Sequence, residues 1–171
     1  IGLILLIIVG LVYLPSLSGT AAAQEYSVEP VAVSFAAPEL SLVSMQGQTE
    51  SLADFRDKVL LVNNWATWCP PCKAEMPTLV AYYNDHADEN FMIVAIEAGE
   101  PKDEVQIFVD QYQMPFHVWL DPNGKALDAF KTEGLPNSFV IDKSGIVRLT
   151  WIGQINREML EKYVTPLLNE N

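Results

Sequence analysis

Two cysteines stand three residues apart, as Cys69-Pro70-Pro71-Cys72, and the chain has no others. A thiolate is the attacking species in disulfide exchange, and the unpaired N–H groups and dipole of a helix N-terminus lower a thiol's pKa. Apolar side chains at Cys72, Met76, Leu79, Val80, Tyr83 and Ala87 follow helical spacing, so a helix begins at the pair. Pro71 suits its first turn, where a missing N–H costs little. Cys69 then sits at the helix start as the nucleophile, and Cys72, about one turn along, can resolve a mixed disulfide. Two other uses of the pair compete with this one. A structural disulfide closing so short a loop stabilises little through chain entropy. A metal site, or a carrier holding copper between the thiolates, has no second Cys-x-x-Cys and only His86 and His117 to complete it.

The rest of the composition narrows the field. The chain has 171 residues, 22 Asp+Glu against 10 Lys+Arg, and a net charge of −12. That charge opposes nucleic acid, whose binders carry a basic footprint, and equally a polybasic membrane-surface role. Half the residues are hydrophobic, which excludes intrinsic disorder. No second domain or internal repeat is visible, and the chain reads as a monomer.

The apolar residues are concentrated at the start. Ile1 to Leu14 is interrupted only by Gly2 and Gly10, and no charge precedes Glu25. Fourteen helical residues reach about 21 Å, short of a hydrocarbon core of ~30 Å. Residues 1–23 read either as a signal peptide, with Ala21-Ala22-Ala23 as the small-residue cleavage pattern, or as an uncleaved membrane anchor. Thr20 stands where a lipoprotein site needs Cys, which argues against lipidation. Both readings export the chain, to the periplasm or the outer face of the cell membrane. Residues 24–37, with Pro30 and little pattern, read as a linker, and 38–171 as the folded domain.

Within that domain, Leu40–Val43 reads as a short strand and Gln46-Gly47-Gln48 as a turn. Val59–Val62 is a continuous apolar run, as in a parallel strand buried on both faces. Further strands are expected at 91–96, 116–120, 138–141 and 146–152, with Lys143-Ser144-Gly145 as a hairpin turn. Helical faces run through Val105, Phe108 and Tyr112, and through Met159, Leu160, Tyr163 and Leu167. The resulting order, ββαβαβββα, predicts an α/β fold with a mixed central sheet and helices on both faces.

The stretch Leu61-Val62-Asn63-Asn64-Trp65-Ala66-Thr67-Trp68-Cys69-Pro70-Pro71-Cys72-Lys73-Ala74-Glu75-Met76-Pro77 resembles the active-site segment of the TlpA/ResA-like thioredoxins, relatives of the CcmG-type cytochrome c maturation proteins. The resemblance runs from about Pro38 to Leu168 and includes Gly134-Leu135-Pro136-Asn137-Ser138-Phe139. It implies a thioredoxin-like fold with an N-terminal strand extension and a helical insert around 102–112. It also implies an anchored or exported thiol–disulfide oxidoreductase with a redox-active Cys69–Cys72 disulfide, no cofactor and no metal. The implied partners are protein disulfide substrates, such as apocytochrome c, and an upstream membrane thiol that returns electrons.

Three further residues follow from the resemblance. Pro136 is similar to the cis-proline that faces the disulfide, which would present the backbone of Leu135 to an extended peptide. Trp68 would be a partly exposed wall beside Cys69, and Trp65 part of the core. Glu75, three residues after Cys72, resembles the family's active-site glutamate and takes the proton-transfer role. Asn63 stands where thioredoxins carry a buried acid, and an amide cannot accept that proton. Asn64 departs from the aromatic or apolar residue common at its position, so it needs a partner if buried. Pro77 would kink the helix by freeing the carbonyl of Lys73. A peroxiredoxin reading fits less well, because Ala66 stands where that chemistry places Thr or Ser. The two prolines offer Cys69 no N–H, which predicts a reductant rather than a strong oxidant.

Overall fold

A computed structural model describes residues 29–170. In chain order the elements are β1 (Val31–Ala36), β2 (Ser41–Ser44), β3 (Thr49–Ser51), a 3-10 turn (Leu52–Phe55), β4 (Val59–Trp65), α1 (Pro70–His86) and β5 (Phe91–Glu97). They continue with α2 (Lys102–Tyr112), β6 (His117–Leu120), α3 (Lys125–Phe130), β7 (Asn137–Ile141), β8 (Ile146–Ile152), α4 (Arg157–Tyr163) and α5 (Thr165–Leu168).

All eight strands share one sheet, in the order β1-β8-β7-β4-β5-β6-β2-β3. β4 lies parallel to β5 and antiparallel to β7, and β5 is parallel to β6, so the sheet is mixed. Side chains alternate across a strand, and β4 divides the core accordingly. Val59, Leu61 and Trp65 face the layer built by α1, α2, α4 and α5, through Met76, Leu79, Val105, Phe108, Leu160 and Leu167. Leu60 and Val62 face the opposite layer, with Leu52 and Phe55 of the 3-10 turn and Ala126 and Phe130 of α3. Every residue of β4 is buried, which explains the apolar run Val59–Val62 at its start. This is the thioredoxin-like arrangement expected from the sequence.

Four features differ from that expectation. Residues 31–36, read as linker, form β1, which pairs with β8 from Val31↔Thr150 to Ala36↔Ile146. It is an edge strand with mostly exposed side chains, so it lacks the apolar alternation of a half-buried strand. β3 is only three residues long and carries no periodic signal. α3 has six residues, too few for a helical stripe; it is started by Asp121, whose carboxylate accepts from the N–H groups of Lys125 and Ala126. The last helix is broken at Val164, ahead of Pro166. The leader at 1–23 and the first part of the linker lie outside the described residues. Among the described residues no helix is long and apolar enough to cross a membrane.

Candidate active site

The carboxyl ends of β4, β5 and β6 all lie at one end of the sheet, where open α/β sheets place their ligands. β4 stops at Trp65, and α1 starts at Pro70 with Cys69 as its N-cap. Cys69 and Cys72 are joined as a disulfide, with their Cα atoms 5.3 Å apart. The Cys72 N–H donates to Cys69 Sγ at 3.3 Å, and the Lys73 N–H donates to the Cys69 carbonyl at 3.1 Å. Both sulfur residues are buried, Cys69 3 % exposed and Cys72 fully covered, while Trp68 beside them is 65 % exposed. Trp65 is buried in the core.

Glu75 is fully buried, not a solvated helix residue. Its Oε1 accepts from Asn63 Nδ2 at 2.8 Å and its Oε2 accepts from the Ile155 N–H at 2.8 Å. Burial pushes its pKa up to about 8, against the two hydrogen bonds, which favour the ionised form. Asn63 also donates to Ser138 Oγ at 2.9 Å, which ties β4, α1 and β7 together at this point. The position that cannot carry a proton therefore holds the residue that can.

The Leu135–Pro136 peptide bond is cis. Pro136 immediately precedes β7, whose first residue, Asn137, pairs in register with Asn64 of β4. That register brings the Pro136 turn to the end of the sheet where the Cys69 loop begins. Leu135 packs against the cluster that contains both cysteines. The Pro136 carbonyl accepts from the Gly153 N–H at 2.8 Å. Asn64, whose burial demanded a partner, donates through Nδ2 to Asn137 Oδ1 at 2.7 Å.

Sequence reading passed over two carboxyls beside the cysteine loop. Glu97 ends β5 in register with Trp65 and is fully buried. It accepts from the Gly99 and Glu100 N–H groups at 3.0 and 2.9 Å. Burial first, then the neighbouring Glu100, raises its pKa to about 7. The Glu100 carboxylate accepts from the Thr67 N–H at 2.6 Å and from the Thr67 hydroxyl. The available signal was topological: a Glu at the carboxyl end of a parallel strand next to the one that carries the cysteines. His86 and His117 pair with Glu89 and Glu50 instead. Among the described residues no group of three or more His, Cys, Asp or Glu could hold a metal ion.

The sequence profile of the AhpC/TSA family matches residues 33–150. Thiol-disulfide oxidoreductase ResA of Geobacillus kaustophilus is 33 % identical over 80 % of this chain and 79 % of its own length. The chain belongs to the AhpC/TSA family, on its ResA-type thiol–disulfide oxidoreductase branch. The ResA protein of Bacillus thuringiensis subsp. konkukian is 34 % identical over 77 % of this chain and 76 % of its own. A solved thiol:disulfide interchange protein of the thioredoxin family from Chlorobium tepidum superposes with a TM-score of 0.73 and 30 % identity. That superposition covers 81 % of this chain and 99 % of the solved one. In this ResA-type chain the disulfide, Glu75 and the Pro136 turn thus lie at one end of one sheet.

Proposed function

We propose that this oxidoreductase is an extracytoplasmic reductase of protein disulfides. The observation that carries the reading is a buried cysteine pair, joined as a disulfide at a helix start, with a buried carboxyl of raised pKa one turn beyond Cys72. The Cys69 thiolate attacks one sulfur of a substrate disulfide, forming a mixed disulfide and releasing one substrate thiolate. In its ionised form Glu75 takes the proton of Cys72, and the Cys72 thiolate then attacks Cys69 Sγ. The Cys69–Cys72 bond forms, the second substrate thiolate leaves, and two electrons have passed to the substrate. A carboxyl near pKa 8 suits this task, because a free thiol titrates at about 8.5 and the transfer is close to balanced. Trp68 and the backbone of Leu135 flank the incoming polypeptide. A membrane thiol carrier returns the two electrons and restores the dithiol.

The apolar leader supports export, either as a signal peptide or as an anchor that keeps the domain at the membrane. Substrates are exported cysteine proteins, apocytochrome c among them. The test is a trap. Cys72→Ser stalls the exchange at the mixed disulfide, so partners co-purify covalently and are released by dithiothreitol, whereas Cys69→Ser captures none. Recovery of equal amounts from both variants would overturn the reading, as would failure of the reduced wild-type chain to reduce insulin.

A further inference from the structure

We infer that Asn64 and Asn137 are positioning residues that hold the Gly134–Pro136 turn in the shape that receives a substrate polypeptide. The inference rests on the disulfide-exchange reading above and names groups that set its affinity for peptide. Asn137 spends both halves of its amide within the turn's surroundings. Its Oδ1 accepts from Asn64 Nδ2 at 2.7 Å, and its Nδ2 donates to the Gly134 carbonyl at 2.7 Å. Asn64 thereby orients the Asn137 amide, and Asn137 tethers the turn. Gly134 has φ +79°, a conformation that side chains rarely adopt, so the tether fixes the carbonyl of a residue with unusual backbone freedom.

The other end of the turn is fixed separately, by the Gly153 N–H on the Pro136 carbonyl. Leu135 lies between the two anchors, and among the described residues its own N–H and carbonyl bond no backbone partner. A backbone with both groups free and both flanks pinned is suited to pair with an extended peptide.

Stability alone does not account for the pair. Asn64 sits on the face of β4 shared with Leu60 and Val62, in register with Ile96, and its Oδ1 has no hydrogen-bond partner among the described residues. A buried acceptor left unpaired costs stability that an apolar side chain there would not. Asn63, one residue earlier, serves the opposite face through Glu75 and Ser138. Consecutive asparagines of β4 thus serve the proton site on one face of the sheet and the peptide turn on the other.

The experiment uses Asn137→Ala, Asn64→Leu and the double variant, each checked for cooperative urea unfolding. Reduction of a disulfide-bridged peptide is followed with dithiothreitol as the electron source. Asn137→Ala should raise KM for the peptide roughly tenfold, as loss of one ordinary hydrogen bond does, with kcat within about twofold. Asn64→Leu should raise KM by less, and the double variant should match Asn137→Ala, because Asn64 acts through Asn137. In the same variants the Gly153 amide, which donates to the Pro136 carbonyl of the turn, should exchange with deuterium at least about tenfold faster, with β4 and β7 amides unchanged. An unmoved KM, a kcat that falls in step with kcat/KM, or additive effects would each overturn the inference. Unchanged exchange at Gly153 would do so even if the wild-type chain reduced no peptide at all, an outcome that would separately sink the reductase reading.

Discussion

Asn63 Nδ2 donates to Glu75 Oε1 at 2.8 Å, across the twelve residues that separate a strand position from a helix position. The strand side supplies a donor and the helix side supplies the carboxyl. The carboxyl is thereby held in a site from which water is excluded, and burial rather than a neighbouring charge sets its pKa.

Loss of that carboxyl should slow one step only. Glu75→Gln keeps the size of the side chain and should leave the first exchange at Cys69 intact, while resolution of the mixed disulfide slows. General acid–base assistance is worth about 10²–10⁴-fold, so single-turnover kinetics would resolve the loss. The deficit should shrink as pH approaches the thiol's own pKa, where Cys72 ionises unaided. A resolution rate equal to wild type from pH 5 to 9 would remove Glu75 from the chemistry.

The same group predicts how stability changes with pH. Below pH 4.5 the folded and unfolded chains both hold the proton. Between there and about 8 the folded chain keeps a proton that the unfolded chain has released, so stability falls as pH rises through this window. Glu97, raised to about 7, adds slope in the lower part of the range. Urea midpoints of the oxidised chain should therefore decline from pH 5 to 8. Glu75→Gln should make the decline shallower, and Glu75→Gln with Glu97→Gln shallower still. An identical slope in both variants and wild type would contradict the assignment.

Thr67 is held to Glu100 through both its N–H and its hydroxyl, two residues before Cys69. Thr67→Val keeps the shape and removes the hydroxyl bond to the carboxylate. Hydrogen bonds to charged groups contribute about 1.5–3 kcal/mol, and this one is only partly buried, which favours the lower figure. Urea unfolding at neutral pH measures it, and an unchanged midpoint would show that water replaces the bond without cost.

The potential of the pair should lie nearer the about −270 mV of thioredoxin than the about −120 mV of a strong oxidant. Pro70 and Pro71 have no N–H, which leaves the Cys72 N–H as the donor within reach of Cys69 Sγ. A poorly stabilised thiolate makes the dithiol the better reductant. Pro71→His supplies an N–H and a cationic ring, and one such charge-assisted bond should raise the potential by roughly 30 mV. Equilibration against glutathione, read by thiol alkylation, gives both values. A wild-type potential above roughly −180 mV would leave an isomerase or oxidase instead.

Much of this site is legible in the chain itself. The Cys69–Cys72 spacing and the apolar stripe of α1 place the dithiol at a helix start, because capping and periodicity are local. Val59–Val62 reads as a central strand for the same reason. What stays hidden depends on neighbours distant in sequence. The burial of Glu75 is decided by Ile155, eighty residues away, and the partner of Asn64 is set by the β4–β7 register. Glu97 and Glu100 stand out only once the parallel pairing of β4 and β5 brings them to Trp65 and Thr67. β1 is hidden because an exposed edge strand satisfies its backbone without burying its side chains.

β1 also sets how the domain is presented. Val31 opposes Thr150, Thr150 opposes Phe139, and Phe139 opposes Val62, so β1 runs opposite to β4 and enters the sheet from the end where β4 leads into the cysteine loop. Glu29, just ahead of it, is pinned to Lys162 of α4. The point of attachment and the dithiol therefore share one pole of the molecule. For a chain anchored by the leader proposed above, the anchor would join the domain on the side that carries Cys69. A membrane-borne thiol donor would then meet Cys69 at the high local concentration of a tethered reaction.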